Sequence, residues 1–332
     1  MTFYYQNVYF EDTATIVGPY EKKGPLRKYF DKSYNDFYFG EDSFEKGEIK
    51  LVRDCLLLIL KKIGKKKEDI DLVLVGDLLN QITASTYGCY GVGNGFIGVY
   101  GACSSSVLEI IIAANFIEHQ LIRNAICLVS SHNLTSEKQF RYPIEYGALR
   151  PNSATFTATG SACCFLSSSK MNVRVECATL GRIIDYHQDN PNDMGRVMAP
   201  AAIDTMKRHF QDTGRTPNDY DLIVTGDLGK YGVEIVKDYM LQVYQFDLSD
   251  NYQDCGVMLY DLEIQKEVKA GGSGPVCGPL VVYSYLFDLL KKKQYQRILF
   301  LATGALFSPQ LIYQKEKINS ICHAVSLEAV SC

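Results

Sequence analysis

Apolar and polar positions along the chain repeat in two similar blocks. IDLVLVGDLL at 70–79 returns as YDLIVTGDLG at 220–229, an offset of 150 residues, and Gly64 and Asp69 upstream match Gly214 and Asp219. In each copy an amphipathic stretch of helical spacing (49–63, then 198–213) ends at a glycine, passes a polar turn and enters an apolar run too short for a helix. Helix, turn and buried strand are therefore predicted twice. Further on, GACSSSVLEIIIAANFIEHQLIRNAICLVSS (101–131) is echoed by GSGPVCGPLVVYSYLFDLLKKKQYQRILFLATG (272–304): a glycine-rich entry, a helix, then another buried strand. Apolar strands alternating with helices imply mainly parallel sheets covered on both faces. Two such sheets with buried helices between them make an α/β fold of five layers, α/β/α/β/α, from two pseudo-duplicated halves. The expected halves are 1–180 and 181–332, packed as one compact unit, with the seam in the region 171–195.

Composition narrows the class. The 332 residues carry a formal net charge of −4, with 47% apolar and 22% charged residues, which suits a globular protein and supplies no concentrated basic face for nucleic acid. The lysine-rich stretch 61–67 follows an apolar run and reads as a solvated helix end, the alternative being a membrane-surface or partner contact. Neither a signal peptide nor a run of about 20 apolar residues is present, so the expectation is a soluble chain that reaches a membrane only through partners. Eleven cysteines scattered through apolar runs without CxxC pairs are expected to be reduced, mostly buried thiols. No cofactor is expected. DNPNDMG, from Asp189, fails as a calcium loop because Met194 and Pro200 stand where glycine and glutamate are needed. Gly93, Gly95 and Gly98 precede a strand, which is not the dinucleotide-binding context.

Cys103 sits between the predicted strand FIGVYGAC and the helix that follows. There its sulfur meets the unsatisfied amides and positive dipole end of a helix, which favour thiolate; the same amides suit a carboxylate ligand. The competing reading is a small buried thiol beside a tight turn.

The duplicated halves with Gly-Ala-Cys-Ser-Ser-Ser before a buried helix resemble the thiolase and ketoacyl synthase superfamily, in which this cysteine is the nucleophile. Longer strings, among them VGPYEKKGPLRKYFD (17–31), GEDSFEKGE (40–48), SSHNLTSEKQFRYPIEYG (130–147), DNPNDMGRVMAPAA (189–202) and ATGALFSP (302–309), resemble the stage V sporulation protein AD family over nearly the whole chain. A condensing enzyme also needs second-half histidine and asparagine groups for proton transfer and oxyanion stabilisation. The resemblance places Gly226 and Gly272 at those positions, so a degenerate, non-enzymatic protein is expected, with a thioester-forming acyl transferase or a scaffold with a vestigial pocket as alternatives.

The family resemblance implies a component that binds dipicolinic acid (pyridine-2,6-dicarboxylate), as the free acid or its calcium chelate. It would work with membrane proteins of the stage V sporulation A operon in dipicolinate uptake, at the inner spore membrane of the spore or forespore. The superfamily further implies a homodimer. A flat dianion needs amide donors, a cation and an apolar wall. The candidate ligand-binding residues are Cys103, Ser104, Ser105, His132, Asn133, Phe140, Arg141, Asn80 and His323, with Ser106 and Tyr142 beside them and no metal ligands. Arg141 is the main cation candidate because its fork matches a carboxylate, its alternative being an ion pair with Glu137 or Glu145. Asp77 and Asp227 are expected to brace loops. Packing is expected of His119; His187 is placed in a polar loop and His209 near a helix end.

Overall fold

The computed structural model describes residues 1–140 and 150–331. The strands are β1 (Thr2–Tyr4), β2 (Tyr9–Val17), β3 (Lys32–Ser33), β4 (Leu72–Gly76), β5 (Phe96–Gly98), β6 (Asn124–Ser131), β7 (Phe156–Thr157), β8 (Gly160–Ser167), β9 (Val173–Thr179), β10 (Leu222–Thr225), β11 (Tyr252–Asp254), β12 (Gly272–Ser273), β13 (Arg297–Leu306) and β14 (Asn319–Ala329). The helices are α1 (Phe44–Ile63), α2 (Thr83–Gly88), α3 (Ser105–Glu118), α4 (Asn133–Phe140), α5 (Met194–Thr213), α6 (Gly229–Tyr244), α7 (Cys255–Met258), α8 (Cys277–Val281), α9 (Phe287–Lys291) and α10 (Pro309–Tyr313). A π-helical turn, Val282–Leu286, joins α8 to α9.

Each half builds one five-stranded array. The first runs β5-β4-β6-β8-β2 and the second β11-β10-β13-β14-β9, and in each only the fourth strand, β8 or β14, opposes the others. The arrays meet through two residue pairs, Tyr9 with Arg174 and Phe10 with Val173. The second array starts with β9, which pairs along its length with β14.

The repeat extends to the helix ends. Ser43 caps α1 by accepting the Lys46 amide, and Asp193 caps α5 by accepting that of Arg196. Both helices close on a left-handed glycine, Gly64 at φ 66° and Gly214 at φ 68°. These caps start the helices a turn earlier than the apolar pattern, at Phe44 and Met194. In the following turns Asp69 accepts the Lys66 amide and Asp219 that of Thr216, both at 2.8 Å.

Three apolar clusters define the layers. One joins α1 to the outer face of the first array through Leu51, Cys55, Ile59, Val73 and Phe165. A second joins α5 and α6 to the second array through Met198, Met206, Val236 and Leu299. The central cluster packs α3 and α8 between the arrays, with Ile110, Ala114, Leu280 and Phe300 at its heart. The helix α3 carries apolar side chains on every side, with a few polar ones between them, because sheets cover both its sides. The fold is therefore the expected five-layer arrangement of two pseudo-duplicated halves. Among the described residues no helix is long and apolar enough to cross a membrane.

Candidate functional site

The site forms where the N-terminus of α3 meets the loops of the second half. Cys103 lies in the 3₁₀ turn Ala102–Ser104, and Ala102 before it holds φ 50°, a strained value for an alanine. The serines maintain this turn: Ser104 Oγ donates to the Gly101 carbonyl at 2.7 Å, and Ser105 Oγ donates to the Ala102 carbonyl at 2.8 Å while accepting the Gly101 amide at 3.1 Å. Strand β13 presses on it at Gly304, where a Cβ would stand 2.7 Å from the Gly101 oxygen. Glycine is needed there for the two halves to approach. Ser106 is buried one position further on, with no partner for its Oγ among the described residues.

A second-half loop completes the site. The short parallel pair β7–β12, with Phe156 opposite Gly272 and Thr157 opposite Ser273, sets Ser273 Oγ 4.0 Å from Cys103 Sγ. Behind Ser273 lies Asp227, fully buried, which accepts Thr303 Oγ1 at 2.8 Å, Ser273 Oγ at 3.0 Å and the Gly274 amide at 3.1 Å. Burial pushes the Asp227 carboxyl above its usual range, and contacts from Cys103, Thr303 and Ser273 pull it back. Burial, then the Asp227 charge, push the Cys103 thiol well above its ordinary value. The helix N-terminus alone would favour thiolate; the partial burial of Cys103 and the neighbouring carboxylate act against it. Both act to keep the thiol protonated.

The two glycines that the resemblance places at the assisting positions differ. At Gly226 an added Cβ meets nothing nearer than Ala302 Cα at 3.7 Å, so packing leaves room for a side chain. At Gly272 it would stand 2.7 Å from Tyr260 Cε2 and 2.9 Å from Cys277 Sγ. The surroundings have closed over that position.

The other predicted residues scatter. His132 is buried and boxed by Phe37, Phe39 and Phe44, with Nε2 2.8 Å from the Phe37 carbonyl and Nδ1 accepting the Leu134 amide at 3.1 Å. Both ring nitrogens are thus committed to backbone, and burial lowers its pKa to about 4. Asn133 ties the start of α4 to the second site loop, its amide bonding Thr159 Oγ1 and its Nδ2 the Thr157 carbonyl. Phe140 packs on Phe307 with ring centroids 5.7 Å apart. Asn80 is exposed in the turn before α2. His323 is buried on β14 opposite Ala302; its Nδ1 accepts the Gly181 amide at 3.0 Å, and its Nε2 has no described partner. Arg141, Tyr142 and Glu145 lie outside the described residues. Glu137 is paired with Arg150.

Three smaller expectations meet different outcomes. His119 is not packed in the core: it is the exposed C-cap of α3, because the helix ends at Glu118. His209 is buried within α5, between Thr179 Oγ1 at 2.7 Å and Tyr220 Oη at 2.6 Å. Asp77 braces its loop through the Leu79 and Ser85 amides, whereas Asp227 braces Ser273–Gly274 and also fronts the thiol. Asp227 is the site residue that reading the sequence missed. Its signal was the repeat itself, which sets Asp77 and Asp227 at the same point past equivalent strands. In the string after Asp189, Asp193 caps α5 and Asp189 pairs with Lys317. Among the described residues no three His, Cys, Asp or Glu side chains converge as a metal site.

Comparison with known proteins agrees with this architecture. Crystal structures of Xanthomonas campestris OleA share the fold: a cerulenin-bound co-crystal aligns with a TM-score of 0.62 at 18% identity, covering 98% of this chain and 97% of that one. OleA with bound lauric acid and lauroyl-CoA aligns with the same score at 17% identity over 98% and 99% of the two chains. The stage V sporulation protein AD of Bacillus subtilis (strain 168) is 41% identical over 321 residues, 97% of this chain and 94% of that protein. Residues 2–328 match the family described as Stage V sporulation protein AD (SpoVAD), and the chain belongs to that family of sporulation proteins.

Proposed function

We propose that the chain is the dipicolinic acid-binding component of the stage V sporulation A transport system, and that it is not an enzyme. The observation that carries the second half of this reading is the buried Asp227 carboxyl beside Cys103, together with the closed Gly272 position. A condensing site needs a thiolate and proton donors; this one holds a neutral thiol against an acid, with glycine at both assisting positions. Membership of the sporulation family supports the ligand.

Asp227 constrains how a dianion binds. An ionised Asp227 repels it, whereas a protonated Asp227, favoured by burial, presents one donor to a ligand carboxylate. Binding of the free acid therefore takes up a proton, and binding of the calcium chelate brings a cation that leaves Asp227 ionised. The chain works in the forespore or spore beside the membrane proteins of the same system. It pairs through β5, the open edge of the first array, flanked by the exposed rings of Tyr87, Tyr90, Phe96 and Tyr100.

Calorimetry of pyridine-2,6-dicarboxylate against the purified chain, in buffers of different ionisation enthalpy and with or without calcium, tests the reading. Saturable binding with proton uptake in the calcium-free arm is expected, and none for pyridine-3,4-dicarboxylate. Absence of binding in both arms would overturn it. Turnover of an acyl thioester would instead favour the acyl-transfer reading, for which the strained turn at Ala102 is the supporting feature.

A further inference from the structure

Charge is unevenly spread over a chain whose formal total is −4. Arg27 and Lys28 are exposed on the 3₁₀ turn Arg27–Tyr29, and Lys291, Lys292 and Lys293 are exposed at the end of α9. These two segments, some 260 residues apart in sequence, meet through the rings of Tyr29 and Tyr285, whose centroids are 4.9 Å apart. Lys28 Nζ lies 5.0 Å from the Tyr29 centroid and Lys291 Nζ 5.3 Å from that of Phe287. Lys28 acts electrostatically on Tyr285, and Tyr29 on Lys292, so the cations share one patch. Asp288 takes Lys292 at 2.6 Å; among the described residues no carboxylate is paired with Arg27, Lys28 or Lys291.

We propose that this patch is a docking surface for an anionic lipid bilayer. Long, exposed cations around half-buried tyrosine rings match a diffuse layer of negative headgroups. Each cation near such a surface raises partitioning by roughly fivefold, an effect lost within a Debye length and hence at high salt. With no described helix able to cross a membrane, surface contact is the direct route by which this chain adheres to one. The inference is independent of the ligand site.

Co-sedimentation with vesicles of equal parts phosphatidylglycerol and phosphatidylcholine, against phosphatidylcholine alone, tests it. The chain is expected to sediment with the anionic vesicles at low salt and to be released at high salt. The triple change Arg27→Glu, Lys28→Glu, Lys291→Glu should weaken partitioning by roughly a hundredfold or more, while Lys61→Glu, Lys66→Glu, Lys67→Glu, the same charge change on the α1 end, should alter it far less. Neutralisation by Arg27→Gln and Lys291→Gln gives an intermediate loss and guards against misfolding of the triple variant, whose thermal melt is checked alongside. No binding by the unaltered chain, or equal losses from both triple variants, would overturn the proposal.

Discussion

Replacing Asp227 by asparagine isolates the charge that adds to burial in raising the pKa of the Cys103 thiol. The substitution keeps the shape of the site: its oxygen can accept Ser273 Oγ and the Gly274 amide, and Thr303 Oγ1 can turn to accept its amide hydrogen. Only the charge is removed. Asp227 stands one hydroxyl away from the sulfur through Ser273. A carboxylate that close to the sulfur raises the thiol's pKa, so removing its charge should lower it. Each pK unit by which a thiol titrating above neutrality is lowered raises its thiolate fraction about tenfold and, with a Brønsted slope of about 0.45, cuts its intrinsic nucleophilicity about threefold, a net gain of about threefold per unit. Alkylation by iodoacetamide, followed at Cys103 by peptide mass spectrometry, measures it. Asp227→Asn should react faster than the unaltered chain. An unchanged rate would mean that burial alone suppresses the thiolate. A slower rate would mean that Asp227 draws the thiol proton and acts as a base, which would refute the account of a non-nucleophilic site and favour acyl transfer.

Other predictions concern stability. Glu21 is buried, accepts Tyr260 Oη and the Thr159 amide on one oxygen, and has its pKa pushed up by burial to about 7. Because this folded value lies above the unfolded one, its contribution is complete below about pH 4.5 and is lost as pH rises through about 7, a difference of about 3 kcal/mol. Glu21→Gln, which keeps the accepting oxygen, should remove that loss, so that denaturant unfolding shows the variant gaining on the unaltered chain between about pH 5 and pH 8; parallel profiles would contradict it. For His209 the sign is opposite. Its folded pKa, lowered by burial to about 4, lies below the unfolded value, so its contribution is present above about pH 6.5 and lost as pH falls toward 4. His209→Gln should flatten the acid limb of the same titration, and an unchanged limb would sink this assignment. Finally, Gly272→Ala should cost about 1–3 kcal/mol by overpacking against Tyr260 and Cys277, whereas Gly226→Ala should cost less than about 1 kcal/mol. Calorimetric melts that ranked the two the other way would be inconsistent with the packing.

The fold was legible because local and global signals agree. Strands β4 and β10 are short apolar runs in the same phase, and the glycines that end α1 and α5 both adopt left-handed backbone, which few other residues take without strain. Cys103 was equally visible as a cysteine between a strand and a helix. Its environment was not. The thiol is governed by Asp227 and Ser273, more than a hundred residues away in the chain, and no periodicity reports which loop of one half faces which helix of the other. His132 illustrates the same gap: its position after β6 suggested a cavity-facing ring, but the aromatic residues that enclose it come from the segment 37–44, whose turns have no regular pattern. His119 failed for a local reason, since an apolar run does not reveal where the last helical turn leaves the core.

The measurement that tests the central claim most directly combines ligand and thiol. Cys103 alkylation would be followed while pyridine-2,6-dicarboxylate is titrated into the unaltered chain, with pyridine-3,4-dicarboxylate as the control. The account predicts saturable protection of Cys103 by the 2,6-isomer alone, at the concentrations where calorimetry detects binding. Alkylation at an undiminished rate under saturating ligand would place the acid elsewhere and contradict the assignment of the Cys103–Asp227 site.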